Sequence, residues 1–313
     1  MSLDPVVLFF VFGLAAGLLK SELKLPPALY ETLSIMLLLA IGLHGGVELA
    51  EQASWQLLGQ AALVLGLGVV LPLLAFAVLR GLGFDRVNAA AVAAHYGSVS
   101  AGTFAVVVAY MLAKGIEFES YMPLFVAILE IPAILVGILL AKGLARDTDW
   151  GELGREIFLG KSIMLLLGGL IIGAIAGKEA IKPLEPLYTS MFKPVLAFFL
   201  LEMGLIASGQ LGALKQFGLR LLGFALLMPL LGALIGGLLA RFMGLSLGGT
   251  AVLATLAASA SYIAVPAALR LALPEANPSL SLTASLGITF PFNILLGIPL
   301  YLMLAEQLIA WGL

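Results

Sequence analysis

The chain has 313 residues, 62% of them hydrophobic and only 11% charged, with a formal net charge of -2. Soluble domains carry about 25% charged residues, so a chain this apolar reads as a polytopic α-helical membrane protein, and its continuous apolar runs argue against the alternating strands of a membrane β-barrel. The charge balance gives no hint of a nucleic-acid partner, and the absence of cysteine excludes disulfides, a Cys-ligated metal and a thiol nucleophile.

Ten apolar segments follow one another between charges, prolines and glycines. They are Val6–Leu19, Leu29–Gly46, Leu57–Leu79, Val87–Ala113, Met122–Ala141, Ile163–Ala176, Val195–Ser208, Gly218–Ala240, Leu247–Leu273 and Leu280–Leu304. "MSLDPVVLFF" has no Lys or Arg ahead of its apolar run and reads as a first membrane helix rather than a cleaved signal. Segments one and six are both short, which prompts a search for a repeat of half the chain. "LLLAIGLHGG" at Leu37–Gly46 parallels "FLLEMGLIAS" at Phe199–Ser208. "GLGFDRVNAAAVAAHYGSVS" at Gly81–Ser100 parallels "FMGLSLGGTAVLATLAASAS" at Phe242–Ser261, and "EIPAILVGILL" at Glu130–Leu140 parallels "TFPFNILLGIPL" at Thr289–Leu300. The expected architecture is therefore two five-helix repeats, residues 1–142 and 161–313, joined by a short cytoplasmic linker at 143–160.

A repeat with an odd number of spans must enter the membrane from the opposite side, which is the inverted architecture of secondary transporters. Eleven of the 16 Lys and Arg fall in, or within four residues of, the loops after odd-numbered segments, which predicts that these loops are cytoplasmic and both termini outside.

Segments four and nine, which correspond in the repeat, are interrupted by small and hydroxylated residues. The first carries "YGSVSAGT" and the second "AASASYIAVP", so Ser98 aligns with Ser259 and Ser100 with Ser261. Pro266 cannot donate a backbone hydrogen bond, and Gly97 and Gly102 weaken the helix on the other side. Interrupted helices at membrane depth are tolerated where they line a cavity or meet a ligand. Inversion brings two half-helix N-termini together, with the residues Ser98, Ser100, Ala101, Gly102, Thr103, Ser259, Ser261 and Tyr262 around them. Free N–H groups, the helix dipoles and hydroxyls then make a site for a compact oxyanion without Lys or Arg.

"IGLHGG" at Ile41–Gly46, "YGSVSAGT" at Tyr96–Thr103, "EIPA" at Glu130–Ala133, "GLSLGGTAVLA" at Gly244–Ala254 and "LRLALPEANPSL" at Leu269–Leu280 occur in that order. Together they resemble the sodium-dependent bicarbonate transporters of the cyanobacterial SbtA type, over essentially the whole chain. The resemblance implies two inverted five-helix repeats, with helices one, two, six and seven forming a gate domain that makes a homotrimer. Helices three to five and eight to ten would form a core that moves as an elevator. It also implies symport of bicarbonate with sodium across a bacterial inner membrane. Relative to that family's pattern, Tyr262 stands where an acid follows the second serine cluster, Glu130 stands for Asp, and "TFPFN" replaces Gly-Thr-Pro. The inter-repeat loop is shorter too, which leaves the family's PII-like regulator an open question.

Glu130 is the acid deepest in an apolar run beside the breaks, and such a carboxylate is functional by default. It could ligate sodium with Thr103, Thr289 and Asn293, or titrate in proton coupling. Glu202 has no acidic counterpart in the repeat and reads as structural; His44 and His95 read as core or interfacial residues. No nucleophile, acid–base pair or metal cluster points to an enzyme, and no cofactor other than the coupling ion is expected. The alternatives left open are a transporter of another small anion, such as a small carboxylate, and proton coupling through Glu130.

Overall fold

The computed structural model describes residues 4–52, 54–143, 151, 154–155 and 158–312; most of the expected linker at 143–160 lies outside these. All regular secondary structure among the described residues is helical. The helices are α1 (Pro5–Leu18), α2 (Pro27–Gln52), α3 (Trp55–Gly81), α4 (Arg86–Gly97), α5 (Ala101–Lys114), α6 (Met122–Lys142), α7 (Lys161–Ile181), α8 (Phe192–Phe242), α9 (Leu247–Ala257), α10 (Ala264–Ala272) and α11 (Pro278–Ala310). A 3₁₀ turn and one α-helical turn, Lys182–Tyr188, lie between α7 and α8. Seven helical stretches are long and apolar enough to cross a membrane, α4 and α5 counting as one stretch.

Two elements differ from the sequence reading. Segment two continues past Gly46 to Gln52, so Glu48, beyond the expected end of that segment, is helical. Its glycines serve packing instead of termination: a Cβ on Gly46 would meet the backbone of Leu170, and one on Gly45 the ring of Pro123 at 2.6 Å. Segment seven continues past Ser208 and meets segment eight with no loop between them, the two helices, together labelled α8, breaking at Gly218, where φ is 73°. That left-handed angle suits a residue without a side chain.

Helix packing is set by small residues that let backbones approach. α1 lies against the first half of α8, with Gly13 facing Leu201 and Gly204 facing Leu14. α2 lies against α7 through Gly42 and Gly169, whose backbones meet. A second group is formed by α3, α4 and α6, and a third by the second half of α8, α9 and α11. Pro72 of α3 packs on Gly97, where a Cβ would come within 2.5 Å of the proline ring.

Local structure recurs 161 residues apart. Arg80 donates to the Phe84 carbonyl at 2.7 Å and Arg241 to the Leu245 carbonyl at 2.6 Å. Gly83 and Gly244 both take positive φ. Asp85 then caps α4 by accepting the Asn88 N–H at 2.9 Å, and Ser246 caps α9 by accepting the Gly249 N–H at 3.0 Å. Each cap is tied to the far end of the other interrupted pair. Asn88 accepts the Asn277 N–H at 2.8 Å, and Glu119 accepts the Ser246 N–H at 2.7 Å. The start of α4 therefore shares one end of the molecule with the end of α10, and the start of α9 shares the other end with the segment following α5.

Candidate functional site

The chain leaves helical geometry between α4 and α5 and again between α9 and α10, and these two gaps are in contact. Ser98 ends α4 in an extended conformation. Ser100 then begins α5: its hydroxyl accepts the Thr103 N–H at 3.0 Å and the Thr103 hydroxyl at 3.0 Å. Serine at this position satisfies one of the orphan N–H groups of a helix start. α10 begins at Ala264 with no side-chain cap. Pro266 falls in its first turn, where a missing N–H is harmless, so the proline starts the second half-helix rather than breaking it. From the contact, α5 and α10 run toward opposite ends of the molecule, so their positive N-termini face each other.

Three bonds join the gaps. Ser100 N–H donates to the Ser259 hydroxyl at 3.0 Å, which donates onward to the Leu256 carbonyl at 2.8 Å. Ser261 N–H donates to the His95 carbonyl at 2.8 Å. The His95 ring returns the contact, with Nδ1 2.6 Å from the Ser261 carbonyl. The expectation that backbone N–H groups of the breaks stand free for a ligand is corrected at these two positions, since Ser100 and Ser261 spend theirs on the opposite gap. What remains unpaired is different. The hydroxyls of Ser98 and Tyr262, 1% and 7% exposed as residues, meet no hydrogen-bond partner at bonding geometry among the described residues, the Tyr262 hydroxyl having the Ser100 hydroxyl as its neighbour. Buried polar groups are nearly always satisfied, so an orphaned hydroxyl on each gap is a group a ligand can bond; Thr250 and Thr283 carry orphaned hydroxyls as well, away from the gaps.

An aromatic wall closes this place. Tyr262 meets Phe290 edge-on at 5.3 Å, and Phe290 meets Phe10 of α1 at 5.6 Å. Phe199 of α8 stacks on Tyr30 of α2 at 5.7 Å. Gly102 sits between the two groups: a Cβ there would strike the Tyr262 hydroxyl and come within 2.9 Å of the Phe199 ring. Ala101 is half-buried in the first turn of α5.

The expected ion residues are all buried. Glu130 is 3% exposed, its Oε2 has no partner, and no Lys or Arg forms a salt bridge with it among the described residues. Arg86 at the start of α4 bonds the Leu140 carbonyl, and Gly137 packs on Ala94, so α6 runs antiparallel to α4. Glu130, seven residues from Gly137 and hence about 10 Å along the helix, lies level with the first gap. Thr289 and Asn293 stand at wide turns of α11, Thr283–Thr289 and Asn293–Gly297. Both have partners. Pro229 cannot donate to the Ala225 carbonyl four residues back, and the Thr289 hydroxyl does so instead, at 2.7 Å. Its only hydrogen being used, Thr289 accepts from the Tyr96 hydroxyl at 2.6 Å. Asn293 donates to the carbonyl of Ala258, at the lip of the second gap, at 2.9 Å and accepts from Tyr301 at 2.7 Å. The structure therefore gathers the serines, Gly102, Thr103 and Tyr262 at one contact, while Thr289 and Asn293 hold backbone carbonyls around it. Sequence reasoning missed the bracing by His95 and Tyr96; the one available signal was Pro229, which predicts an unpaired carbonyl at Ala225.

Residues 5–306 match the profile of the Na+-dependent bicarbonate transporter superfamily. No curated protein matches the chain.

Proposed function

The chain belongs to the Na+-dependent bicarbonate transporter superfamily, and from that premise we propose that it moves bicarbonate together with sodium by alternating access, holding the anion where the two helix gaps meet. The observation that carries this reading is the pair of buried, unpartnered hydroxyls of Ser98 and Tyr262 at that meeting point. Bicarbonate accepts hydrogen bonds on several oxygens. The hydroxyls, the uncapped start of α10 and the first N–H groups of α5, at Ala101 and Gly102, offer donors and positive dipole ends without a full cation, the Thr103 donors being spent on Ser100. Ser100, Ser259 and Ser261 hold the two gaps in register.

The proposed frame is an inverted pair of five-helix repeats, residues 1–142 and 161–313, crossing the bilayer ten times with both termini outside. The local structure recurring 161 residues apart supports it, as do the two exchanged caps. α1, α2, α7 and the first half of α8 would form the gate, and the remaining helices the core. The site lies where core residues Gly102, Tyr262 and Phe290 meet gate residues Phe10 and Phe199. A core that slides past an aromatic wall would carry the anion from one face to the other, which is the elevator mode. We place the sodium at Glu130, with oxygens from Thr103, Thr289 or Asn293, because a carboxylate buried without a partner is stabilised by a cation. The homotrimer belongs to the same reading.

The test is uptake of labelled bicarbonate into proteoliposomes with and without an inward sodium gradient. Sodium-dependent accumulation is the expected result. Accumulation driven equally well by a proton gradient, and abolished by Glu130→Gln, would replace sodium with proton coupling. Failure to take up bicarbonate while taking up a small carboxylate would reassign the substrate.

A further inference from the structure

We propose that a second anion station lies beside the crossing, in the cavity between α4, α10 and the start of α11, and that His95 makes it selective for an oxyanion still carrying a proton. The proposal rests on the bicarbonate reading and names a binding position that reading does not include. The cavity has a volume of about 140 Å³ and is lined by His95, Leu269, Arg270, Asn277, Ser281 and Leu282, among others. One water needs about 10–15 Å³ on the same measure, so an ion of four heavy atoms fits with some of its hydration.

Four polar side chains line it: Asn277, whose Oδ1 accepts the Ser279 N–H at 3.0 Å, and three more. Arg270 is the single charged residue among the lining side chains, and its guanidinium makes no hydrogen bond or ion pair among the described residues. Ser281 is 2% exposed, and its hydroxyl has no partner among the described residues. His95 is 2% exposed, and its ring is oriented by one bond. A carbonyl only accepts, so the contact between Nδ1 and the Ser261 carbonyl places the hydrogen on Nδ1. In the neutral ring Nε2 is then a bare acceptor, and no described residue donates to it. The set is thus one cation, one hydroxyl donor and one acceptor. Bicarbonate complements it: its charged oxygens would face Arg270 and Ser281, and its O–H would donate to Nε2. Nitrate has the same planar shape and charge but no proton, so it would set an oxygen lone pair against the imidazole lone pair. Because His95 also grips Ser261, an ion bound here sits behind the crossing, on the side of the 273–277 loop.

The natural chain has no cysteine, so Ser281→Cys supplies a single thiol inside the cavity. Its rate of labelling by a small thiol reagent would be followed in the full-length protein with sodium present. Bicarbonate at ten times its dissociation constant should slow labelling about tenfold, by simple occupancy, and nitrate at equal concentration should leave the rate unchanged. Arg270→Gln in this background should abolish protection and Arg270→Lys should keep it. His95→Asn retains a donor for the Ser261 carbonyl but lacks Nε2, and should make the two anions equivalent. In the Ser98→Ala/Tyr262→Phe variant protection should persist while uptake falls; normal uptake with protection intact would reject the crossing site and leave this one standing. Labelling indifferent to bicarbonate, equal protection by nitrate in the chain with His95, or protection that disappears together with transport would each overturn the proposal.

Discussion

The two gaps carry the same serines and use them differently. In the first, Ser100 caps its own helix and sends its N–H to Ser259. In the second, Ser261 caps nothing; its N–H and carbonyl are both taken by His95. A strictly symmetric partner of the bond from Ser100 to Ser259 would run from Ser261 to Ser98, and His95 intercepts it, leaving the Ser98 hydroxyl unpaired. A repeated pattern thus fixes where the backbone opens, while residues unique to one copy decide which groups remain for a ligand. His95 in the first copy and Tyr262 in the second are those residues.

This contrast can be tested from the largest expected effect downward. Gly102→Val drives a side chain into Tyr262 and Phe199; misplacing a site by an ångström costs about 10²-fold, and bicarbonate uptake should fall by at least that much. Gly59→Ala, where a Cβ meets nothing within 4 Å, should leave uptake unchanged. Glu130→Gln should weaken sodium activation of uptake about tenfold or more, equivalent to about 1.4 kcal/mol, measured as the sodium concentration for half-maximal rate. Full sodium dependence in that variant would remove the carboxylate from the ion site.

Smaller effects separate the two serines. Ser100→Ala removes a helix cap and should lower unfolding stability by about 1 kcal/mol. Ser261→Ala keeps both backbone-mediated bonds to His95 and should cost less than Ser100→Ala. Equal losses in thermal or denaturant unfolding would contradict the assignment of bonds. The smallest effect concerns the start of α4. Partial burial pushes the Asp85 carboxyl up, but hydrogen bonds from Asn88 and from the backbone N–H groups of Asp85 and Val87 together outweigh this and hold it below the usual aspartate value. A lowered folded value means that its stabilising share is present above the unfolded value of about 4 and is lost as pH falls through the lower folded one. Asp85→Asn should flatten the melting temperature in that acidic window.

Much of this was legible in the chain itself. The apolar runs give the helices, and the S-x-S pairs at Ser98 and Ser259 mark where two of them open. The end of α2 was hidden because Gly45 and Gly46 look like a stop signal, whereas their missing side chains admit Pro123 and Leu170. The cross-copy bonds, from Ser100 to Ser259, His95 to Ser261 and Tyr96 to Thr289, join residues more than 150 positions apart, and no local propensity encodes them. Thr289 shows the limit well. Read beside Glu130 it suggests an ion ligand, yet its hydroxyl hydrogen goes to a carbonyl that Pro229 leaves unpaired, and lone-pair capacity is what remains for a cation.

The central claim is that the orphaned hydroxyls at the crossing hold the anion. Sodium-driven uptake of labelled bicarbonate should therefore be measured in Ser98→Ala/Tyr262→Phe against the natural chain. Losing two hydrogen bonds of about 1 kcal/mol each predicts a KM for bicarbonate raised about thirtyfold, with the sodium concentration for half-maximal activation unchanged. An unchanged KM in a variant that folds and inserts normally would place the anion elsewhere and contradict the account.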